Sequence, residues 1–323
     1  MRQVPEIELV ERVLHGERLA LARLLTQVEN DTPVGRDALD RLFALAGRAH
    51  LVGITGAPGT GKSSLANRLA LAFRAPRGEQ PAPKVAVIAV DPSSPFTGGA
   101  LLGDRLRMKD VAGDPGVFIR SMASRGTLGG LARATAAAAT VLDAAGYEMI
   151  LIETVGAGQS EVDIARLAHS VIVVDAPGLG DDIQAIKAGI LEIADILVVN
   201  KADLPGAENT LRALRGMLEV AFHDEIPGRW RPPLLKAVAS SGEGVDEVAA
   251  AVLAHGEFLR GSGGWQRREQ DRLEREFMLL LRESLWERWK QNLGEERLRE
   301  VVERVIHREQ TPGKTLEDLL NRD

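Results

Sequence analysis

The 323-residue chain contains no cysteine. That absence excludes disulfides, thiol catalysis and thiolate metal sites, but it leaves the cellular compartment open. Long apolar runs are missing as well. The longest, Ala134 to Ala145, is alanine-rich and broken by Asp143, too short to span a bilayer. A secretory signal is not expected, because Glu6, Glu8, Glu11 and Glu17 interrupt the apolar residues of the amino terminus. Nor is there an excess of positive charge: the net charge of −6 gives no general attraction to nucleic acid or to an anionic membrane. The six histidines, His15, His50, His169, His223, His255 and His307, are scattered without ligand spacing, which disfavours a metal-insertion role. Internal repeats are absent. What remains is an ordinary globular composition, long enough for a large core without disulfides or a structural metal. A cytoplasmic location is expected.

The chain is organised around Gly56-Ala57-Pro58-Gly59-Thr60-Gly61-Lys62-Ser63, a full G-x-x-x-x-G-K-[ST] pattern. It follows the apolar run Leu51-Val52-Gly53-Ile54 and opens into a stretch with helical spacing, Ser64 to Ala70. Strand, loop and helix are the context that a phosphate-binding loop requires. Glycines at 56, 59 and 61 let backbone N–H groups converge on a phosphate, and the following helix adds its positive end. Lys62 would reach the β- and γ-phosphates, and Ser63 would offer its hydroxyl to Mg²⁺. The nucleotide-binding set expected here is Gly56, Ala57, Pro58, Gly59, Thr60, Gly61, Lys62, Ser63 and Ser64.

From Leu51 onward, near-continuous apolar runs alternate with helical segments. The runs are 51–55, 84–90, 117–120, 149–153, 170–175, 196–200 and 234–239. Such a pattern predicts an α/β fold with a doubly wound, mainly parallel sheet and ligands at the carboxyl ends of the strands. Three regions follow: an N-terminal helical extension (1–48), a phosphate-loop domain (49–260) and a C-terminal helical arm (261–323). Apolar residues between 6 and 29 keep helical spacing, and a second helix is expected from about Asp37 to Arg48. Gly261-Ser262-Gly263-Gly264 reads as a linker. Beyond it, Leu273, Phe277, Leu280, Leu281, Leu285 and Trp289 form one stripe, suited to packing within the chain or to self-association.

Asn200-Lys201-Ala202-Asp203, directly after a strand, resembles the guanine-specifying N-K-x-D motif. A carboxylate at Asp203 can accept from guanine N1–H and its 2-amino group, a donor pair that adenine lacks. The next strand should lead to a loop that reads guanine O6 by backbone N–H, and Val238, Ala239 and Ser240 stand there. Val238 occupies the place where G proteins usually have serine, which puts a serine-mediated brace in doubt. Glu153 ends a strand and can hold a Mg²⁺-bound water, with the Gly156 N–H at the γ-phosphate. Asp91 and Asp104 are carboxylates that could converge on Mg²⁺ or on the attacking water. The expected catalytic set is therefore Lys62, Asp91, Asp104, Glu153 and Gly156, and the expected metal set is Ser63, Asp91, Asp104 and Glu153.

A wider resemblance rests on many motifs in order. They are Asp91-Pro92-Ser93-Ser94 with Thr97-Gly98-Gly99, Leu102-Gly103-Asp104-Arg105, Arg120-Ser121-Met122-Ala123, Arg125-Gly126 and Leu128-Gly129-Gly130. Further along come Glu153-Thr154-Val155-Gly156, Gly158-Gln159-Ser160-Glu161, Gly180-Asp181-Asp182 with Gln184, Lys187-Ala188-Gly189 and Glu192-Ile193-Ala194-Asp195. Across roughly residues 6–310 this is similar to the MeaB/ArgK/MMAA family of P-loop GTPases. The resemblance implies a GTPase that acts as chaperone of an adenosylcobalamin-dependent acyl-CoA mutase, chiefly methylmalonyl-CoA mutase. Its role would be to gate cofactor delivery and to protect or reactivate the mutase. It also implies a cobalamin adenosyltransferase as a further partner, a dimerising C-terminal arm, Mg²⁺ with GTP, and no cobalamin held by this chain itself. By the same resemblance, the loop after Asp91 is a first switch and 153–161 a second. Residues 178–192 form a third switch that senses the partner through Asp181, Asp182 and Lys187.

Two other classes stay open on the residues alone. A P-loop kinase would need the same phosphate loop and metal acids, although the guanine motif and the lack of a recognisable acceptor pocket argue against it. A scaffold with vestigial hydrolysis is disfavoured by intact phosphate, metal and base motifs.

Overall fold

The computed structural model describes residues 6–75, 81–92, 113–124, 130–154, 160–178, 192–223, 226 and 228–320. Among them, seven strands form one parallel sheet: β1 (His50–Thr55), β2 (Val85–Pro92), β3 (Val117–Ser124), β4 (Met149–Thr154), β5 (Ser170–Asp175), β6 (Ile196–Val199) and β7 (Leu234–Lys236). Their order is β3-β2-β4-β1-β5-β6-β7. The chain moves outward from β1 to β3, returns through β4, and then builds β5 to β7 on the other side. The carboxyl end of β1 is therefore near the point where the winding reverses, where a doubly wound sheet opens its crevice.

The inner strands β1, β4, β5 and β6 are buried along almost their whole length and are mostly apolar, because both of their faces are covered. Ala86, Ile88 and Val90 of β2 join Ile150 and Ile152 in one core, while Val85, Val87 and Ala89 join Leu151, Ile172 and Val174 in the other. The first core is closed by the N-terminal helices α1 (Glu6–Leu14), α2 (Arg18–Glu29) and α3 (Pro33–Leu42), with α5 (Gly130–Ala144). The second is closed by α4 (Lys62–Phe73) and α8 (Val245–Ser262). Between lie α6 (Ser160–Leu167) and, after β6, α7 (Ala207–Ala221). The Asp143 carboxylate ties the entry to β1, accepting from the N–H groups of Gly47, Arg48 and Ala49 at 2.6–3.1 Å.

Three local expectations change. Helical spacing over 6–29 is interrupted at Gly16, whose φ of 82° ends α1 and separates it from α2. The second helix, expected from about Asp37, starts earlier, at Thr32-Pro33. The Thr32 hydroxyl caps α3 by accepting from Gly35 N–H at 3.1 Å, and Pro33 fills the first turn. The helix expected to reach Arg48 closes at Leu42, followed by a single 3₁₀ turn, Phe43–Leu45. The glycine-rich stretch at 261–264 is no linker. Gly261 and Ser262 complete α8, Gly263 caps it at φ 70°, and α9 (Gly264–Leu293) begins at once.

The chain divides into two compact units, Met1–Arg272 and Leu273–Asp323, with the division inside α9. In the second unit, α10 (Glu295–Ile306) and α11 (Pro312–Leu320) share a small core of Leu293, Val301 and Leu319, with Trp289 and Leu298 against it.

At the amino ends of the strands the first unit is held by a buried polar network. His50 Nε2 and His255 Nδ1 each lie 2.7 Å from Ser170 Oγ. His255 Nε2 is 3.3 Å from Asp195, whose two oxygens accept from Arg268 at 2.7 and 2.8 Å. Asp195 also takes the Val171 N–H at 2.9 Å. The Trp265 ring stacks on His169 at 3.9 Å, and the Arg260 guanidinium lies over its other face. Three histidines that are scattered in sequence thus meet in space, each less than 4% exposed. Burial lowers the pKa of all three, His255 to about 4. Leu51 N–H donates to His169 Nδ1 at 3.1 Å, which puts the ring proton on Nε2, facing Glu269 at 3.3 Å. The Ser170–His255–Asp195 chain has the bonding order of a hydrolase triad. With Ser170 completely buried, no substrate reaches its hydroxyl, and the chain is structural.

Candidate nucleotide site

At the opposite, carboxyl end of the sheet, β1 runs through Thr55 into the phosphate loop and then into α4. Backbone crowding dictates the glycines. Gly56 has φ 141°, and a Cβ there would stand 2.0 Å from the Val174 carbonyl oxygen of β5. Gly61 has φ 90°, and a Cβ there would stand 2.4 Å from Asn200 Nδ2. Any larger residue would push the loop away from its neighbours. The Thr60 hydroxyl donates to the Ala57 carbonyl at 2.9 Å and closes the loop on itself.

Lys62 begins α4 and is buried; its ammonium donates to the Gly56 and Ala57 carbonyls at 2.7 and 2.9 Å. These bonds span the loop and fix the ammonium within it. Next to it, the Ser63 hydroxyl donates to Glu153 Oε1 at 2.5 Å. Glu153, at the end of β4, is only 5% exposed. A hydroxyl and a carboxylate held together at a helix N-terminus form the hard-oxygen set that Mg²⁺ accepts. The residues present therefore fit a divalent cation. One residue on from Glu153, the Thr154 hydroxyl donates to that of Thr55 at 3.3 Å and joins the ends of β4 and β1.

Asn200 joins the phosphate loop to the base-side loop. Its Nδ2 donates to the Thr60 carbonyl at 2.8 Å, and its Oδ1 accepts the Ala239 N–H at 3.0 Å. It is 1% exposed, so both bonds are dry. Lys201 takes a left-handed backbone, φ 55°, and its Cε passes 3.9 Å from the Cβ position of Gly61. Asp203 is solvent-exposed at the rim.

The structure thus brings together the whole phosphate loop, Lys62, Ser63, Glu153, Asn200, Lys201, Ala239 and Ser240. Asp91 is placed by its backbone, paired with Ala123 at the carboxyl end of β2. Asp104, Gly156, Asp181, Asp182 and Lys187 lie outside the described residues. Two refinements come from geometry. Val238 N–H is engaged by the Glu243 carbonyl at 2.8 Å and Ala239 N–H by Asn200, so of the three expected residues two have their N–H groups already occupied within the fold. The missing serine brace at Val238 is replaced by Arg68 of α4. Its Nε donates to the Ala239 carbonyl at 3.2 Å and its Nη2 to the Ser240 carbonyl at 2.9 Å. Sequence reasoning missed Arg68, because nothing local connects it to a loop about 170 residues away.

A parallel doubly wound sheet with this phosphate loop, paired to an N-K-x-D segment at a neighbouring strand end, defines a P-loop GTPase. The comparisons with known proteins narrow the class. Residues 21–294 match the family model for "Methylmalonyl Co-A mutase-associated GTPase MeaB". A putative GTPase of Pyrococcus abyssi is 44% identical over 313 residues, covering 97% of this chain and 95% of that one. The mitochondrial methylmalonic aciduria type A homolog of Caenorhabditis elegans is 33% identical over 292 residues, covering 83% and 70%. The solved structure described as LAO/AO transport system kinase superposes with a TM-score of 0.74 at 28% identity, covering 99% of this chain and 98% of that one. The chain belongs to the MeaB family of GTPases.

Proposed function

We propose that this GTPase assists an adenosylcobalamin-dependent acyl-CoA mutase, with methylmalonyl-CoA mutase as its client, by gating cofactor loading and protecting or reactivating the enzyme. The observation that carries this reading is the family match over 21–294, whose description names association with that mutase. In this reading Ser63 and Glu153, with Asp91 and Asp104 of the first switch loop, would hold a Mg²⁺ ion, which when bound would supply charge neutralisation at the phosphates. Lys62 gives up its carbonyl partners for the β/γ-phosphates, and the N–H groups of 59–63 and the α4 N-terminus surround the β-phosphate. Asp203 takes the N1–H and 2-amino group of guanine, while the N–H of Ser240 donates to O6.

Phe277, Met278, Leu285 and Trp286 are 49–63% exposed on α9, more apolar surface than a lone helix keeps in water, which supports a homodimer through the arm. No helix among the described residues is long and apolar enough to cross a membrane. We place the protein in the cytoplasm, with the mutase and a cobalamin adenosyltransferase as partners and with Asp181, Asp182 and Lys187 sensing the mutase.

The test is GTP hydrolysis by the full chain with and without purified methylmalonyl-CoA mutase, alongside size-exclusion of the mixture with GDP or a non-hydrolysable GTP analogue. Nucleotide-dependent co-elution and faster hydrolysis are expected. Equal hydrolysis and no complex in either state would remove the mutase as client. A kinase reading draws on the description of the similarly folded protein. Appearance of label from [γ-³²P]GTP on a protein or small acceptor, in place of free phosphate, would favour it.

A further inference from the structure

The three N–H groups of the Val238–Ser240 loop are not equivalent. Val238 donates to the Glu243 carbonyl and Ala239 to Asn200 Oδ1. The third, on Ser240, lies in the same peptide plane as the Ala239 carbonyl. In a trans peptide, N–H and C=O point in opposite directions, and the described chain has no cis bond. Whatever holds the Ala239 carbonyl therefore aims the Ser240 N–H. That carbonyl is held by Arg68, at 3.2 Å, and the same guanidinium holds the Ser240 carbonyl at 2.9 Å. The guanidinium is a planar fork, so two adjacent carbonyls gripped together fix the orientation of the peptide between them. Arg68 lies six positions after Lys62 on the same helix, so the phosphate end and the base end of the site share one rigid element.

We propose that Arg68 is a specificity-positioning residue for the base. It holds the 239–240 peptide with its N–H toward position 6 of the purine and prevents the flip that would present a carbonyl there instead. The chemistry is a choice of sign. A 6-oxo purine accepts at that position, and a 6-amino purine donates. A fixed N–H favours the first, and a peptide free to flip can satisfy either. Arg68 touches no part of the nucleotide and acts only through the loop. This inference rests on the guanine reading above.

The experiment titrates the full chain, its Arg68→Ala variant and its Arg68→Lys variant with GDP, 6-thio-GDP and ADP. Thermal melts check that each variant is folded. Replacing O6 by sulfur keeps the N1–H and 2-amino group for Asp203 and weakens only the acceptor at position 6. The unmutated protein should prefer GDP over 6-thio-GDP by about 5- to 10-fold, the scale of one hydrogen bond. Arg68→Ala should reduce that preference to within about twofold, with Arg68→Lys in between, since a single ammonium grips one carbonyl less rigidly. Should Arg68→Ala fail to fold, Arg68→Gln carries the same comparison. Full retention of the preference in the variants overturns the proposal, and so does an equal loss for both nucleotides, which marks a merely structural residue. Tight ADP binding by the unmutated protein would instead overturn the guanine reading on which this rests.

Discussion

The two ends of the same sheet are built by opposite means. At the carboxyl ends of the strands, the nucleotide site is made mostly of backbone, its shape set by glycines and by carbonyls held by Lys62, Asn200 and Arg68. At the amino ends, side chains do most of the joining: His50, Ser170, His255 and Asp195 bond one another, Asp195 also takes a backbone N–H, and Trp265 and Arg268 cover them. The first end exposes donors for a ligand, whereas the second satisfies its polar groups internally and excludes water. Function and stability are thereby separated along the length of each strand. Substitutions at one end should change chemistry with little effect on stability, and substitutions at the other the reverse.

The strongest break of that comparison is Asp195→Ala. It removes the partner of Arg268 and His255 and strands the Val171 N–H, which should cost about 3–5 kcal/mol of unfolding free energy. Denaturant unfolding measures the loss, and the GTP KM of the folded fraction should stay close to the parent's. A KM that rises tenfold would mean the two ends are not separate.

Lys62→Ala is the converse. Removing the ammonium from the phosphate loop should lower turnover by about 10²- to 10³-fold, as expected for a lost electrostatic contact to the transferring group. Differential scanning fluorimetry without nucleotide should show a shift of only a few degrees. Turnover near that of the parent would take Lys62 out of the site.

A smaller effect sharpens the comparison through pH. His255 titrates at about 4 in the folded chain and near 6.5 when unfolded, because burial disfavours its charged form. The unfolded chain therefore binds the extra proton first, and stability falls as pH drops from 6.5 toward 4. Between pH 6.5 and 5.5 the loss from this one group is about 1 kcal/mol, with His50 and His169 acting in the same direction. Melting temperature measured against pH in the parent and in His255→Gln checks it. Identical acid slopes in the two proteins would show that His255 does not contribute.

What was legible in the sequence follows the same division. The strand starts at Val117, Met149, Ser170, Ile196 and Leu234 agree with the apolar runs, and the phosphate loop with its flanks is entirely local. Local patterns can be read because the residues that cause them are neighbours in the chain. The amino-end network joins residues 50, 170, 195, 255 and 268, and no short window contains two of its bonds. The Arg68 brace is hidden for the same reason. At 261–264 the sequence misled for another reason: glycine serves equally as a flexible linker and as a helix cap, and only the helices on both sides decide.

The strand β6 has only four residues, yet Asp195 stands immediately before it and Asn200 immediately after. One short rod thus carries an anchor of the water-excluding network at its foot and the joint of the nucleotide pocket at its head. Its length acts as a ruler. Inserting or removing a single residue between the two would turn one of them to the wrong face of the sheet. No compensating change elsewhere would restore both, so this six-residue interval is a place where the chain can accept exchanges of side chain but no change of length.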